Sequence, residues 1–255
     1  MKNLICALGG MWCLVLSNML WATDMNCKDI GANIMNSELQ FSLRHNQIPG
    51  ELAISTYKLR IIDGQYRLEV SSQAKGLLAL LYSGQLTQKS EGRVDSKFGL
   101  TPLYYAEQRG KKPISEVILD VEAQKVFFKR SGESVVYEKG LQDRISMIYQ
   151  LAARLRCNNN FKIGDSFTMR VISTGRVANE VFTVRSVDDE VILNFGQEGD
   201  RRVSSMQFEI KPEKLGDEIV RLWFAKEFNW QPVKIQIQDM DGKSLSQTLM
   251  SVGKY

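Results

Sequence analysis

Few side chains in this sequence stand at spacings that chemistry requires. The one histidine, His45, ends an alternating run and precedes Asn46-Gln47-Ile48-Pro49-Gly50. A general base needs a partner and a nucleophile brought near it, and the sequence points to neither. Asp143 and Ser146 have the spacing of an acid beside a hydroxyl nucleophile. They equally have the spacing of a helix N-cap and its reciprocal partner, which accounts for both. Asp188-Asp189-Glu190 and Asp239 with Asp241 supply oxygen ligands, but without the spacing of an EF-hand loop, and read as turns. Ser90-Glu91-Gly92 lacks the Gly-x-Gly framework of a phosphate loop. No catalytic residues, metal site or cofactor are expected, and the chain does not read as an enzyme.

The cysteines speak to compartment. Met1-Lys2-Asn3 leads into an uncharged stretch from Leu4 to Leu16, then Ser17 to Ala22. A short basic start, an apolar core and a small residue at the end describe a secretory signal, read here as residues 1–22. Gly9-Gly10 and Ser17-Asn18 interrupt the roughly 20 apolar residues that the alternative, an uncleaved membrane anchor, would need. Cys6 and Cys13 would leave with the signal, so the mature chain keeps Cys27 and Cys157. In an oxidising compartment two cysteines read as one disulfide, worth about 4–5 kcal/mol in the chain-entropy model; two unpaired thiols are the alternative. Zinc wants about four Cys or His ligands. The expected location is the periplasm.

The net charge of +4 is small, and basic pairs such as Lys111-Lys112, Lys129-Arg130 and Arg201-Arg202 are scattered. A nucleic-acid surface would cluster them with aromatics between, so no nucleic-acid partner is expected.

The elements that must position these residues are mostly strands. After an N-terminal extension (residues 23–38), period-two alternation dominates one domain, 39–255. Leu39, Phe41 and Leu43 alternate, as do Leu52 and Ile54. The series resumes out of phase at Tyr57, Leu59 and Ile61, which predicts a β-bulge. Asp63-Gly64 predicts a hairpin turn. The apolar run 76–82 fits a buried strand or a short helical piece. Further strands are expected at 84–95, 102–109, 115–121, 125–130 and 134–138. After a helix, others are expected at 166–174, 177–187, 190–195, 202–210, 218–225, 231–239 and 244–252.

That helix is the exception. From Asp143 to Arg156, Ile145, Ile148, Tyr149, Ala152 and Leu155 recur at helical spacing. Arg154 and Arg156 suit the carbonyl end. Met147, Leu151 and Ala153 widen the apolar face until most of the circumference is apolar, and such a helix is buried on more than one side. The predicted fold is mainly β: a strongly curved antiparallel sheet or half-open barrel enclosing helix 143–156. Ile145, Met147, Ile148 and Tyr149 on the helix, with Leu222, Trp223 and Phe224 on a strand, could line an apolar pocket; a dry, filled core is the alternative.

Two stretches carry a resemblance. One runs from Leu86 through Ser90-Glu91-Gly92, Gly99-Leu100-Thr101-Pro102-Leu103-Tyr104-Tyr105 and Gly110-Lys111-Lys112 to Gln142-Asp143-Arg144-Ile145-Ser146. The other is Leu222-Trp223-Phe224-Ala225, Pro232-Val233-Lys234-Ile235 and Asp241-Gly242-Lys243. Together they resemble the bacterial family named domain of unknown function 3108, over about residues 40–252. The resemblance implies an exported Gram-negative protein with no assigned reaction. The Trp-to-Asp-Gly hairpin is also similar to that of periplasmic lipoprotein carriers, half-barrels that hold acyl chains under a helical lid. The expected function is a periplasmic binding or carrier module for a hydrophobic ligand, an acyl chain or a lipoprotein. The alternative is a structural or interaction module of the envelope that engages a protein partner.

Overall fold

A computed structural model of the chain describes residues 29–75, 85–196, 199–211 and 218–253. The expected signal peptide, Cys27 and the apolar run 76–82 lie outside the described residues.

One fifteen-stranded sheet accounts for nearly all of the fold. Its first arm is a meander of β1 (Ser37–His45), β2 (Ile48–Ile62), β3 (Gln65–Ala74), β4 (Leu86–Asp95), β5 (Gly99–Arg109), β6 (Ser115–Asp120), β7 (Lys125–Phe128) and β8 (Ser134–Val136). The chain then passes through β9 (Gln142–Asp143) and the helix α1 (Ser146–Cys157). A second meander follows: β10 (Ser166–Ile172), β11 (Val177–Asn194), β12 (Asp200–Lys211), β13 (Ile219–Ala225), β14 (Gln231–Gln238) and β15 (Ser244–Val252). β15 pairs antiparallel with β1 and joins the two arms, while β9 lies parallel to β10 at the far edge.

The two outermost strands, β8 and β9, are neighbours in the chain. A sheet whose ends are joined by so short a connection must curl. The helix packs against β5 and β9 on one side and β14 on the other, so the curl closes around it. The result is a half-open barrel with a helix inside, curved and not closed. The helix starts three residues later than the spacing suggested, because Asp143 still pairs with Ile172 of β10. Nine of its twelve residues are buried, including Leu151, Ala152, Ala153 and Leu155. Small Ala152 and Ala153 let the sheet approach the helix backbone, while Phe161, Phe167, Phe182, Phe208 and Phe224 form the aromatic layer of this core.

Local conformation follows side-chain chemistry. Asp63 and Gly64 both take positive φ, +50° and +73°, as a two-residue hairpin turn that matches strand twist requires. Two expectations are corrected. The bulge expected between Ile54 and Tyr57 is absent, since β2 pairs with β3 without a break from Ala53 to Ile62. The inward series is Ala53, Ser55, Tyr57 and Leu59, and Ile54 faces the other way. Ser55 belongs inside because its hydroxyl meets that of Ser72 across the strands at 2.7 Å, so a polar residue kept the inner phase. Asp188-Asp189 is not a turn. β11 runs through it beside β12, with register shifts on its N-terminal side, and Asp189 accepts the Trp223 indole N–H at 2.5 Å.

Candidate functional site

The residues before the helix fix its position. Asp143 is fully buried, and its Oδ1 accepts the backbone N–H groups of Ile145 (3.0 Å) and Ser146 (2.8 Å). Ser146 Oγ accepts the Asp143 N–H at 2.9 Å, completing the reciprocal cap. The other carboxylate oxygen accepts the hydroxyl of Ser90 in β4, and Tyr66 of β3 joins Ser90 at 2.8 Å. Burial pushes the Asp143 carboxyl up from its ordinary range, against the pull of the bonds from Ser90, Ser146 and Ile145.

Two amides extend this attachment. Gln150 accepts from the Leu100 N–H at 2.9 Å and donates to the Phe98 carbonyl at 2.6 Å, and Gln142 donates to the Leu100 carbonyl at 2.7 Å. Gly99 has φ +76°, and a Cβ there would lie 2.4 Å from Gln150 Oε1. At Gly92 a Cβ would lie 2.1 Å from the Thr101 carbonyl oxygen, so no larger residue fits between β4 and β5. The helix's far end is held by Arg156, which donates to the carbonyls of Asn33 and Asn229 at 2.7 Å each.

On the other side of the same turn the packing opens. A cavity of about 390 Å³ lies between the first turn of the helix and the sheet, bounded by both arms. Its apolar wall includes Leu86, Ile145, Met147, Ile148, Leu222 and Ile235. Tyr57 and Gln247, hydrogen-bonded to each other at 3.1 Å, add a polar pair. Charged residues gather where it opens: Glu107, Arg109, Arg144, Arg176, Glu180 and Glu218. Apolar walls with a few placed polar groups are the usual make-up of a ligand site, and the volume lies within the usual range of about 300–1,000 Å³.

Of the residues expected to line a pocket, Ile145, Met147, Ile148 and Leu222 meet at this cavity. Tyr149 and Trp223 do not line it. Tyr149 is buried on another face of the helix. Trp223 alternates with Leu222 and so points to the opposite face of β13, where Asp189 takes its N–H and Lys234 Nζ lies 4.6 Å from its ring. Phe224 packs in the core, with its ring 6.1 Å from that of Phe208. His45 accepts the Gln47 N–H through Nδ1 at 3.1 Å, a turn contact. Cys157 is the last residue of the helix. Sequence reasoning missed Tyr57, Leu86, Val220, Ile235 and the charged opening, because each comes from a different strand.

No curated protein matches the chain. One similar solved structure is described as "a putative lipoprotein" from Parabacteroides distasonis ATCC 8503. It is 6% identical, with 89% of this chain and 100% of that one covered and a TM-score of 0.33. A likeness that low carries no argument. The model of the family described as protein of unknown function (DUF3108) matches residues 41–250. That span includes the capped helix, the β4–β5 hairpin that holds it and the β13–β14 hairpin, and it settles membership: the chain belongs to the DUF3108 family.

Proposed function

We propose that this protein is an exported envelope module that binds or carries a hydrophobic ligand, with the apolar part of the ligand in the cavity beside the helix's first turn. The observation that carries this reading is that cavity: about 390 Å³, open, and walled by Ile145, Met147, Ile148 and Leu222. A fold that only needed a core would fill such a space, since protein interiors are close-packed. No reaction is assigned. Asp143 spends both carboxylate oxygens on holding the helix, and His45 turns to its own loop.

Periplasmic location is part of the proposal and rests on the leader 1–22. So does a Cys27–Cys157 disulfide, which gains support from the neighbouring segment: Arg156 binds the carbonyl of Asn33, bringing the chain that follows Cys27 to the helix's C-terminal end. A free-thiol count on denatured, unreduced mature protein should give zero, and two thiols would reject the bond. The ligand reading is tested by native mass spectrometry of protein purified from the periplasm, together with displacement of a fluorescent fatty acid. Failure of the protein to take up the probe after delipidation would sink it.

A second reading has its own surface. Ile118, Phe127 and Val136 are exposed on one face of β6, β7 and β8, beside half-buried Tyr104 of β5, and β8 ends the sheet. An apolar stripe ending at an open strand edge suits a protein partner that adds a strand. In-cell crosslinking that traps a stoichiometric partner through these residues, with no lipid recovered, would favour this reading.

A further inference from the structure

The charged opening of the cavity is unevenly paired. Arg109 is held by Glu107 at 2.7 Å, and Glu107 also accepts from Gln88 at 3.0 Å. Arg176 and Glu180 are both engaged. Arg144 makes no ion pair or hydrogen bond with any described residue, and neither does Glu218, just before β13. Arg144 is exposed, yet its backbone is not loose. It stands between Asp143 and Ile145, in the turn that the buried carboxylate of Asp143 fixes through Ile145 and Ser146.

The arrangement is a cavity with an apolar wall and, at its opening, a guanidinium with no ion pair or hydrogen bond among the described residues, one residue before the wall residue Ile145. A guanidinium fork matches a carboxylate through two parallel N–H donors. Because Glu218 shares the opening, a single negative charge suits it better than a dianion. A second pocket, of about 610 Å³, shares Glu107 and Arg109 with the cavity and is lined also by Lys112, Lys129 and Arg130. Among the described residues, only Lys129 of these three has a carboxylate partner, Glu116 at 3.1 Å. The approach to the opening is therefore basic, and a basic approach raises the local concentration of anions. The volume, near the low end of the usual ligand range, suits one chain rather than two.

We propose that the ligand is a long-chain fatty acid whose carboxylate pairs with Arg144 while its chain lies against Ile145, Met147, Ile148 and Leu222. This rests on the ligand-binding reading above and names the head group it left open. The test compares palmitate with the alcohol of the same chain length, and with a lyso-phosphatidylglycerol, on the whole mature protein and on Arg144→Gln and Arg144→Lys. Wild type should bind palmitate about fivefold more tightly than the alcohol, the scale of a partly solvated ion pair. Arg144→Gln should erase that preference by weakening palmitate alone, and Arg144→Lys should keep part of it. Added salt should narrow it. Equal affinity for acid and alcohol in wild type, or equal weakening of both by Arg144→Gln, overturns the head-group assignment and leaves the cavity reading standing. Tighter, Arg144-dependent binding of the lysophospholipid overturns the choice of a fatty acid. If wild type takes up none of the three, the cavity reading falls and this assignment falls with it.

Discussion

Asp143 and Arg144 are adjacent in the chain and live in opposite surroundings. Asp143 is sealed among Ser90, Ser146 and two backbone N–H groups, with Tyr66 one bond further away. Arg144 projects at an opening with no described partner. The contrast teaches how a fold with so few reactive residues makes a site. Buried polar groups bonded to the sheet hold the helix in one place, and the space beside it can then stay unfilled without the helix sliding in. If that division of labour is right, changes on the sealed side should cost stability, and changes on the open side should cost binding.

The largest effect should follow from Asp143→Ala. It removes the cap, leaves the first-turn N–H groups of Ile145 and Ser146 buried without that acceptor, and leaves Ser90 with Tyr66 alone. Losing the cap and leaving buried N–H donors unpaired costs about 2–4 kcal/mol, to be read as a fall in the denaturation midpoint with urea. A loss under about 1 kcal/mol would mean that water takes the carboxylate's place, and that this side is not sealed.

The open side predicts the reverse pattern. Val220 is half-buried and lines the cavity, so Val220→Trp should fill space that is already there. Fatty-acid probe affinity should drop about tenfold or more, equivalent to about 1.4 kcal/mol, with stability changed by less than about 1 kcal/mol. Unchanged binding would place the ligand elsewhere.

Much of the sealed side was legible in the sequence, and little of the open side was. The helix announced itself through Ile145, Ile148, Ala152 and Leu155, and the cap through Asp143 and Ser146, because both are local patterns. Ser90, Leu100 and Gln142 were visible only as motif letters, since their partners lie 42 to 53 residues away. Period-two alternation says that one of Leu222 and Trp223 faces inward but not which, and in β2 it was misled where Ser55 holds an inner position. A cavity has still less signal. It is a place where side chains from several strands fail to meet, and no single segment records it.

A smaller effect sharpens the boundary between the two faces of β13. Trp223→Phe removes the indole N–H that Asp189 accepts at 2.5 Å while keeping an aromatic ring beside Lys234. The expected cost is about 1 kcal/mol of stability, measured by thermal or urea unfolding, with probe affinity unchanged. Loss of binding comparable to that of Val220→Trp would show that the wall has been drawn on the wrong face.

The smallest effect is a pH dependence, and its sign is the informative part. Burial raises the folded-state pKa of Asp143 above the ordinary aspartate value of 3.8, while the bonds from Ser90, Ser146 and Ile145 pull it down. These terms oppose each other, so the net contribution should be modest. With the folded pKa above the unfolded one, the folded state binds more protons between the two values. The contribution of Asp143 to stability therefore grows as pH falls through its folded pKa, and levels off below the unfolded one. Glu51, Glu91, Glu116 and Glu209 behave in the opposite way. Burial would raise Glu51, Glu91 and Glu209, but each of the four is held below its ordinary value by nearby donors, with Tyr104 and Lys129 acting on Glu116. The whole protein should accordingly lose stability in acid, and the signal of Asp143 must be read by difference. Asp143→Asn keeps an acceptor for the helix N–H groups and cannot ionise. The gap between wild type and Asp143→Asn, followed by urea denaturation from neutral pH downward, should move in favour of wild type. A gap that moves toward the variant would mean that the hydrogen bonds outweigh burial, and that Asp143 is held as a fully compensated anion.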